Sequence, residues 1–330
     1  MNSIRKLPRK FKEIIKAVLI PKPPKYLSEN FRQISKKDLD RVESSLRKNY
    51  FLPDQAYLSS TVGQNDLQNQ MFRRLDNFRN TIIPWLSNVK SLKGASVLEI
   101  GCGTGSSTIT LAEQGANVTA IDLHEPSLAI ARERCQIYGL NAEFVNVNAT
   151  EVDKVFAGQH FDFIIYFATL EHMTHDERMI SMKRTWNMLS KGDLWCVVES
   201  PNRMWFYDNH TSLLPFYHWL PDELAFKYSQ FSPRQNFREQ YRELNEETML
   251  HFLRRGRGIS YHEFELAMGN VDKLDIASSL SIFLRNQSAV KKIQWRLSTE
   301  SRYESFLARV SPNIHRGFCQ EYLDLIVRKN

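Results

Sequence analysis

Long apolar runs, clustered cysteines and internal repeats are all missing from this sequence of 330 residues. No apolar segment approaches the roughly 18 residues that a transmembrane helix requires. The apolar run at 14–20 is interrupted by Lys16 and has no small-residue cleavage site after it, so we expect no signal peptide. The few cysteines are far apart and lack the spacing of a metal site: Cys102, Cys135, Cys196 and Cys319. They predict reduced core side chains, no bound metal and a cytoplasmic protein.

Net charge is also scarce once the first residues are set aside. Residues 1–25 contain eight basic side chains and one acidic side chain, and their net charge of +7 equals that of the whole chain. The rest of the chain is therefore neutral overall, which argues against a nucleic-acid-binding body. Apolar residues recur at helical spacing from Leu7 to Leu19, which predicts a basic amphipathic helix. Such a helix could lie on an anionic membrane, pack on the domain or stay partly disordered.

Residues 95–123 contain a strand, a glycine-rich turn, a helix and a second strand in succession. The turn reads Gly101-Cys102-Gly103-Thr104-Gly105. Glycine there permits positive φ and lets a ligand approach the main chain closely. Asp122 ends the second strand, where its carboxylate can accept hydrogen bonds from both hydroxyl groups of a ribose. The arrangement predicts half of a Rossmann-like nucleotide site.

Two residues beside the turn bear on which nucleotide it holds. A dinucleotide fingerprint would need Gly or Ala at position 106, where this chain has Ser106. Glu99, in the pattern Glu-x-Gly-x-Gly-x-Gly, is unfavourable beside a pyrophosphate but suits the ammonium group of an amino acid. The pattern resembles the first motif of class I S-adenosylmethionine-dependent methyltransferases. That resemblance implies S-adenosylmethionine as the cofactor.

Helices and strands continue to alternate after the turn, which is typical of a doubly wound parallel sheet. We expect an α/β fold with a Rossmann-like, seven-stranded, mostly parallel sheet, helices on both faces and a closing antiparallel pair. The seven predicted strands are marked by Val97, Val118, Phe144, Phe163, Val197, Phe264 and Leu325. The predicted division is a basic arm at 1–25, a helical cap at 26–93 and a methyltransferase domain at 94–330, with insertions at about 201–245 and 270–315.

Two further strand ends extend the resemblance. After the third strand the family usually has an aspartate beside a small residue, and this chain has Asn148-Ala149, whose amide oxygen can accept the same bond from the adenine amino group. The fourth strand runs through Phe167 into Leu170-Glu171-His172, which is similar to the fourth motif of ubiquinone-biosynthesis-type O-methyltransferases. The resemblance implies main-chain contact with the methionine part of the cofactor near Phe167. The predicted cofactor-binding residues are Glu99, Gly101, Cys102, Gly103, Gly105, Asp122, Leu123, Asn148, Ala149 and Phe167.

The segment at 199–222 combines many aromatic side chains with many polar ones, as small-molecule sites do. His172 and His210 are the histidines predicted at the catalytic edge of the sheet, and imidazole titrates near neutrality. His210 is preferred as the base that deprotonates an acceptor hydroxyl, with Asp208 orienting it and His172 nearer the cofactor; the two histidines could exchange roles. The predicted acceptor contacts are Asn202, Arg203, Trp205, Tyr207 and, from the cap, Tyr57.

Three functions fit these residues. The first is S-adenosylmethionine-dependent O-methylation of a polar small molecule, such as a sugar or glycan precursor. The second is methylation of a lipid-like or phenolic acceptor, with residues 1–25 docked at a membrane. The third is cofactor binding without turnover. Methylation of DNA or RNA is disfavoured by the neutral body and by the absence of an Asn-Pro-Pro-Tyr/Phe motif after the fourth strand. The expected location is cytoplasmic, with peripheral membrane contact as the alternative.

Overall fold

A seven-stranded sheet organises the part of the chain that this computed structural model describes, namely residues 28, 30–51 and 55–330. The strands are β1 Ser96–Ile100, β2 Asn117–Asp122, β3 Glu143–Asn146, β4 Phe163–Phe167, β5 Leu194–Pro201, β6 Asp275–Ser279 and β7 Tyr322–Arg328. Their order is β3-β2-β1-β4-β5-β7-β6, with β7 antiparallel to both of its neighbours and the other pairs parallel. This topology confirms the predicted Rossmann-like α/β fold. The predicted arm at 1–25 lies outside the described residues.

Most of the helices ahead of the sheet form one long rod. After α1 (Lys36–Asn49) and α2 (Gln55–Ser59), the rod runs through α3 (Thr61–Gln68), α4 (Arg74–Asn77) and α5 (Ile83–Val89). Short π-helical segments at Asn69–Arg73 and Phe78–Ile82 join the last three helices. Ser35 caps α1 by accepting a hydrogen bond from the Asp38 amide, and Ser60 caps α3 in the same way.

The remaining helices cover both faces of the sheet and extend beyond its carboxyl edge. They are α6 Ser106–Glu113, α7 Glu125–Tyr138, α8 Val152–Val155, α9 His175–Met188, α10 Asp222–Tyr228, α11 Gln235–Gln240, α12 Glu246–Leu253, α13 Tyr261–Met268, α14 Leu280–Asn286, α15 Ala289–Arg296 and α16 Thr299–Val310. Within the described ranges, no helix combines the length and the apolarity needed to cross a membrane.

The core lies on the two faces of the central strands. Because side chains alternate along a strand, Ile164 and Tyr166 of β4 pack into one apolar cluster, whereas Phe163 and Ile165 pack into the other. Helices α9 and α13 close the first cluster, and the end of the helical rod closes the second. All five residues of β4 are buried, as expected for a central parallel strand.

One predicted strand is wrong. The segment around Phe264 is helix α13, and the sixth strand is Asp275–Ser279, which the sequence interpretation had placed inside a helical insertion. The apolar alternation at 261–266 suggested a strand, but Ser260 and Glu263 form a reciprocal capping box that starts a helix. The real strand reads Asp-Ile-Ala-Ser-Ser, and such a short, polar edge strand has almost no hydrophobic pattern.

Candidate active site

A cavity of about 540 Å³ opens at the carboxyl edge of the sheet. Its walls are the glycine turn, the ends of β2, β3 and β4, the helical rod and the loop that carries His210. Its volume is in the range of small-molecule binding pockets. It lies at the edge where open α/β sheets bind their ligands. Ten of the predicted site residues line it: Gly101, Cys102, Gly103, Asp122, Leu123, Asn148, Ala149, Phe167, His172 and His210.

Two glycines of the turn have different roles, one facing the cavity and one allowing close packing of helices. Gly103 has φ +51°, and a Cβ built on it would meet no atom within 4 Å, so the main chain there is open to a ligand. Gly105 has φ +79°, and its Cβ would come within 2.8 Å of the Ala131 side chain. Gly105 therefore lets α6 pack closely on α7. It does not line the cavity, in contrast to the prediction.

Glu99 also lies outside the cavity wall, contrary to its predicted contact with an ammonium group. Its side chain is fully buried, and its two oxygens accept hydrogen bonds from the hydroxyl groups of Ser107 and Thr108, the latter at 2.6 Å. Burial raises the pKa of Glu99 to about 7. Ser107 does line the cavity, so Glu99 acts on the site through the start of α6.

Asp122 is held at the cavity floor by the main chain. Its Oδ2 accepts a hydrogen bond from the Gly103 amide at 2.8 Å, and its Oδ1 accepts one from the His124 amide at 2.8 Å. A carboxylate oxygen has two lone pairs, so each oxygen can accept one more hydrogen bond from a ligand hydroxyl. Asn148 lies nearby with its Oδ1 bonded to the Thr150 amide at 2.9 Å.

Arg74 is a cavity residue that the sequence interpretation missed. It is half-buried, and among the described residues its side chain forms neither a hydrogen bond nor an ion pair. Its charge lowers the pKa of both Glu99 and Glu199, although burial raises each of them more. Arg74 and Phe78 lie four positions apart on the helical rod, and both line the cavity. Their i, i+4 spacing on a helix was the sequence signal that could have identified them as a pair. Together they bring a cation and an aromatic ring to the same cavity as the glycine turn.

The geometry of His210 defines which of its ring nitrogens carries a proton. Its Nδ1 lies 2.8 Å from the Thr211 hydroxyl, and that hydroxyl donates its only proton to the Gly256 carbonyl at 3.1 Å. The His210 Nδ1 must therefore be the donor, which leaves Nε2 unprotonated. Burial lowers the pKa of His210, while the nearby charge of Glu171 acts in the opposite direction. At neutral pH the ring is consequently an uncharged base.

His172 presents a similar arrangement on the other side of the opening. Its Nδ1 donates to the Arg254 carbonyl at 3.1 Å, so Nδ1 is the nitrogen that carries a proton in the neutral tautomer. The two imidazole rings are 6.3 Å apart between centroids. His172 is exposed, whereas His210 is half-buried. His210 is therefore the better shielded of the two rings, and its role as the base stays a prediction.

Asp208 does not orient the His210 ring, which corrects its predicted role. Its buried carboxylate accepts hydrogen bonds from the main-chain amides of His210, Thr211 and Ser212, at 3.0, 2.9 and 2.6 Å. It also lies 3.3 Å from Nε2 of the buried His218, whose Nδ1 accepts from the Gly258 amide. These bonds hold the pKa of Asp208 well below its usual range. Asp208 and the unpredicted His218 therefore fix the loop that carries His210.

The five predicted acceptor contacts do not line the large cavity. Asn202 is buried and donates to two main-chain carbonyls, of Phe318 and Gln320, each at 2.7 Å, so its amide is used within the fold. Burial lowers the pKa of Arg203, and Trp205 packs against Phe206 inside the loop. The Tyr207 hydroxyl donates a hydrogen bond to the Leu213 carbonyl, and the Tyr57 hydroxyl donates one to Asp66. Asn202 and Tyr207 are the two of the five that lie near His210, in a small notch described below.

The main chain is strained near the carboxyl ends of β4 and β5, which lie beside the site. Ala168 follows β4 with φ +46°, and Glu199 near the end of β5 has φ +58°, conformations that residues with a Cβ rarely adopt. The register between β5 and β7 shifts at Glu199, and its amide donates to Asp324 at 2.7 Å. Burial raises the pKa of Asp324 to about 7. Bulges of this kind re-aim side chains next to active sites.

Comparison with known proteins agrees with this geometry. Residues 97–192 match a family model described as a methyltransferase domain. A ubiquinone biosynthesis O-methyltransferase of Pseudomonas aeruginosa (strain UCBPP-PA14) is 33% identical over 102 residues, which cover 31% of this chain and 44% of that protein. Its counterpart in Dechloromonas aromatica (strain RCB) is 31% identical over 113 residues, covering 34% and 48%. The chain thus spans less than half the length of these relatives.

Solved structures show a weaker likeness. Magnesium protoporphyrin IX methyltransferase from Synechocystis PCC 6803, crystallised with bound SAM, is 20% identical with a TM-score of 0.37, and the match covers 54% of this chain and 83% of that chain. The segment matched by the family model contains the glycine turn, Asp122 and His172. The loop with Asp208 and His210 lies beyond it.

Proposed function

We propose that this chain, whose residues 97–192 match a methyltransferase-domain model, is a class I S-adenosylmethionine-dependent methyltransferase that methylates a hydroxyl oxygen of a polar small molecule. S-adenosylmethionine is the cofactor of this domain. The observation that carries the choice of oxygen as the methylated atom is the unprotonated Nε2 of His210 at the cavity. A hydroxyl acceptor must lose a proton, and His210 is placed to take it.

The residues of the cavity fit this cofactor. The free lone pairs of Asp122 suit the ribose hydroxyl groups, and Gly103 leaves room for a ligand against the main chain. Arg74 supplies a cation for the carboxylate of the amino-acid part, while Leu123 and Asn148 suit the adenine ring. Bound there, the cofactor supplies a methyl group on a sulfonium, which is already activated for displacement.

The protein's own contribution is positioning and proton transfer. Holding two reacting groups in line can supply roughly 7–11 kcal/mol of a barrier. The proton from the acceptor hydroxyl goes to Nε2 of His210, while the proton on Nδ1 stays bonded to Thr211. The buried Glu171 acts to raise the pKa of His210, which favours the imidazolium that forms. A general base placed in this way contributes about 10²–10⁴-fold to the rate.

The surroundings of His210 favour a polar acceptor. His210 also lines a small notch whose other members include Tyr207, Asn209, Glu321 and Tyr322. Asn209 donates to Glu321 at 2.7 Å, so polar side chains surround His210 on this side; the notch has a volume of about 10 Å³, room for one water-sized group, and the acceptor itself would lie in the large cavity. This supports a sugar or glycan precursor as the acceptor. The four buried, unpaired cysteines support a reducing compartment such as the cytoplasm.

A phenolic or lipid-like acceptor is the second candidate, favoured by the ubiquinone-biosynthesis relatives. Labelled S-adenosylmethionine incubated with the protein and with polar and lipid fractions of an extract separates the two. We expect label in a polar product. Label confined to a phenolic or lipid product would replace the first candidate by the second. Cofactor binding in a calorimeter with no label in either fraction would contradict both and leave a non-catalytic binding protein.

A further inference from the structure

Helices α15 and α16 present large apolar side chains to solvent. Among the described residues of α15, none is buried, which is unusual for a helix that carries isoleucine and tryptophan. Four apolar residues on these helices and on the turn between them are exposed over more than half of their surface: Ile293 by 58%, Leu297 by 77%, Phe306 by 58% and Val310 by 69%. Exposed apolar surface of this extent marks a contact surface.

Apart from the half-exposed Glu300, the charged side chains that reach solvent on these two helices are basic. Lys292 and Arg296 of α15 and Arg302 and Arg309 of α16 are exposed, and within the described residues none of the four forms an ion pair. The buried Glu304 is already neutralised by ion pairs with Arg285 and Arg316. Arg302, Phe306, Arg309 and Val310 follow the i, i+4, i+7, i+8 spacing of one helical face. Cationic and apolar side chains therefore share the same surface.

This surface continues onto the loop that carries His210. Tyr303 of α16 donates a hydrogen bond to the Met204 carbonyl, and Trp219 donates to the same carbonyl at 3.3 Å. Tyr303 also packs against Phe306, at 6.3 Å between ring centroids. Trp219 packs against Phe216 with the rings tilted by 52° and their centroids 4.9 Å apart, and both are about half exposed. We call the set the docking face: Phe216, Trp219, Lys292, Ile293, Arg296, Leu297, Arg302, Phe306, Arg309 and Val310.

We propose that the docking face binds the surface of an anionic phospholipid bilayer. Apolar and aromatic side chains enter the boundary between headgroups and acyl chains, and lysine and arginine beside them bind lipid phosphates. The positive charge of the face complements that surface, and its tryptophan is the residue type that favours the interface. Bilayer contact through this face would hold the His210 loop close to the membrane surface. Docking itself does not require methyl transfer.

Vesicle binding tests the docking face independently of activity. The full chain is sedimented with anionic vesicles, made of phosphatidylcholine with about 30% phosphatidylglycerol, and separately with vesicles of phosphatidylcholine alone. We compare the wild type, Ile293→Glu/Leu297→Glu, and Arg302→Gln/Arg309→Gln. Leu266→Glu and Lys183→Gln are matched controls, because both residues are exposed but lie on α13 and α9.

We expect binding to anionic vesicles only, a loss of binding for the double glutamate variant, and a weakening of roughly 25-fold for the double glutamine variant, at about fivefold for each basic residue. The controls should bind like the wild type. Equal binding by all variants would overturn the docking face and leave residues 1–25 as the membrane contact. A wild type that binds no vesicle but forms dimers that Leu297→Glu dissociates would also overturn it, in favour of an interface between two copies. Circular dichroism of each variant separates loss of binding from loss of folding.

Discussion

Replacement of Glu99 by Gln should change how the stability of the protein depends on pH. The Glu99 carboxyl is fully buried, and its pKa is raised from 4.5 to about 7. An acid whose pKa is higher in the folded than in the unfolded state stabilises the fold below the unfolded pKa and loses this effect as the pH rises through the folded pKa. For Glu99 the window therefore runs from about pH 4.5 to about pH 7.

The shift of 2.5 pH units between these two values corresponds to about 3 kcal/mol at 1.36 kcal/mol per unit. The wild type should lose about this much unfolding free energy between pH 4.5 and pH 8 because of Glu99, and Glu99→Gln should not. Other buried carboxyl groups such as Glu113, whose pKa is raised to about 8, contribute equally to both proteins and cancel in the difference. Urea unfolding at several pH values measures it, with exposed Glu247→Gln as the control. Parallel curves for wild type and Glu99→Gln would refute the reasoning.

Three further substitutions test the cavity. Asp122→Asn should weaken S-adenosylmethionine binding roughly 10–100-fold by calorimetry, since charged hydrogen bonds to the ribose are lost; unchanged affinity would remove Asp122 from the site. Arg74→Met should weaken S-adenosylmethionine binding but leave decarboxylated S-adenosylmethionine, which lacks the carboxylate, unaffected. Thr211→Val should lower kcat about tenfold or more by freeing the His210 ring, with rescue by Thr211→Ser; an equal loss in both variants would point to packing instead.

Most of the fold could be predicted because the central strands and helices carry strong local patterns. The glycine turn, Asp122 and the later strand ends each directly follow or end a parallel strand. Because the carboxyl ends of parallel strands lie at the same edge of a sheet, these residues meet there. The edge strand β6 could not be predicted, because its polar sequence has little strand propensity and it is extended because it pairs with β7. Helix α13 was mistaken for it because a short apolar alternation fits both periods.

The acceptor side of the site was predicted less well than the cofactor side. Asn202 and Asp208 look like ligand contacts in the sequence, but their partners are main-chain groups brought together only by the folded loop. The partner of Asp208 is His218, ten residues further along, and no local pattern connects the two. Glu99 fits the pattern of its motif, yet its side chain is fully buried away from the cavity wall and bonds to the hydroxyl groups of Ser107 and Thr108.

The central claim is that His210 takes the acceptor's proton in a methyltransferase cavity. Its most direct test is the rate of label transfer from S-adenosylmethionine into the polar fraction by the wild type, His210→Gln and His172→Gln, with cofactor affinity measured in each. We predict a loss of about 10²–10⁴-fold for His210→Gln with unchanged cofactor affinity, and a smaller loss for His172→Gln. Transfer by His210→Gln at the wild-type rate would contradict the claim.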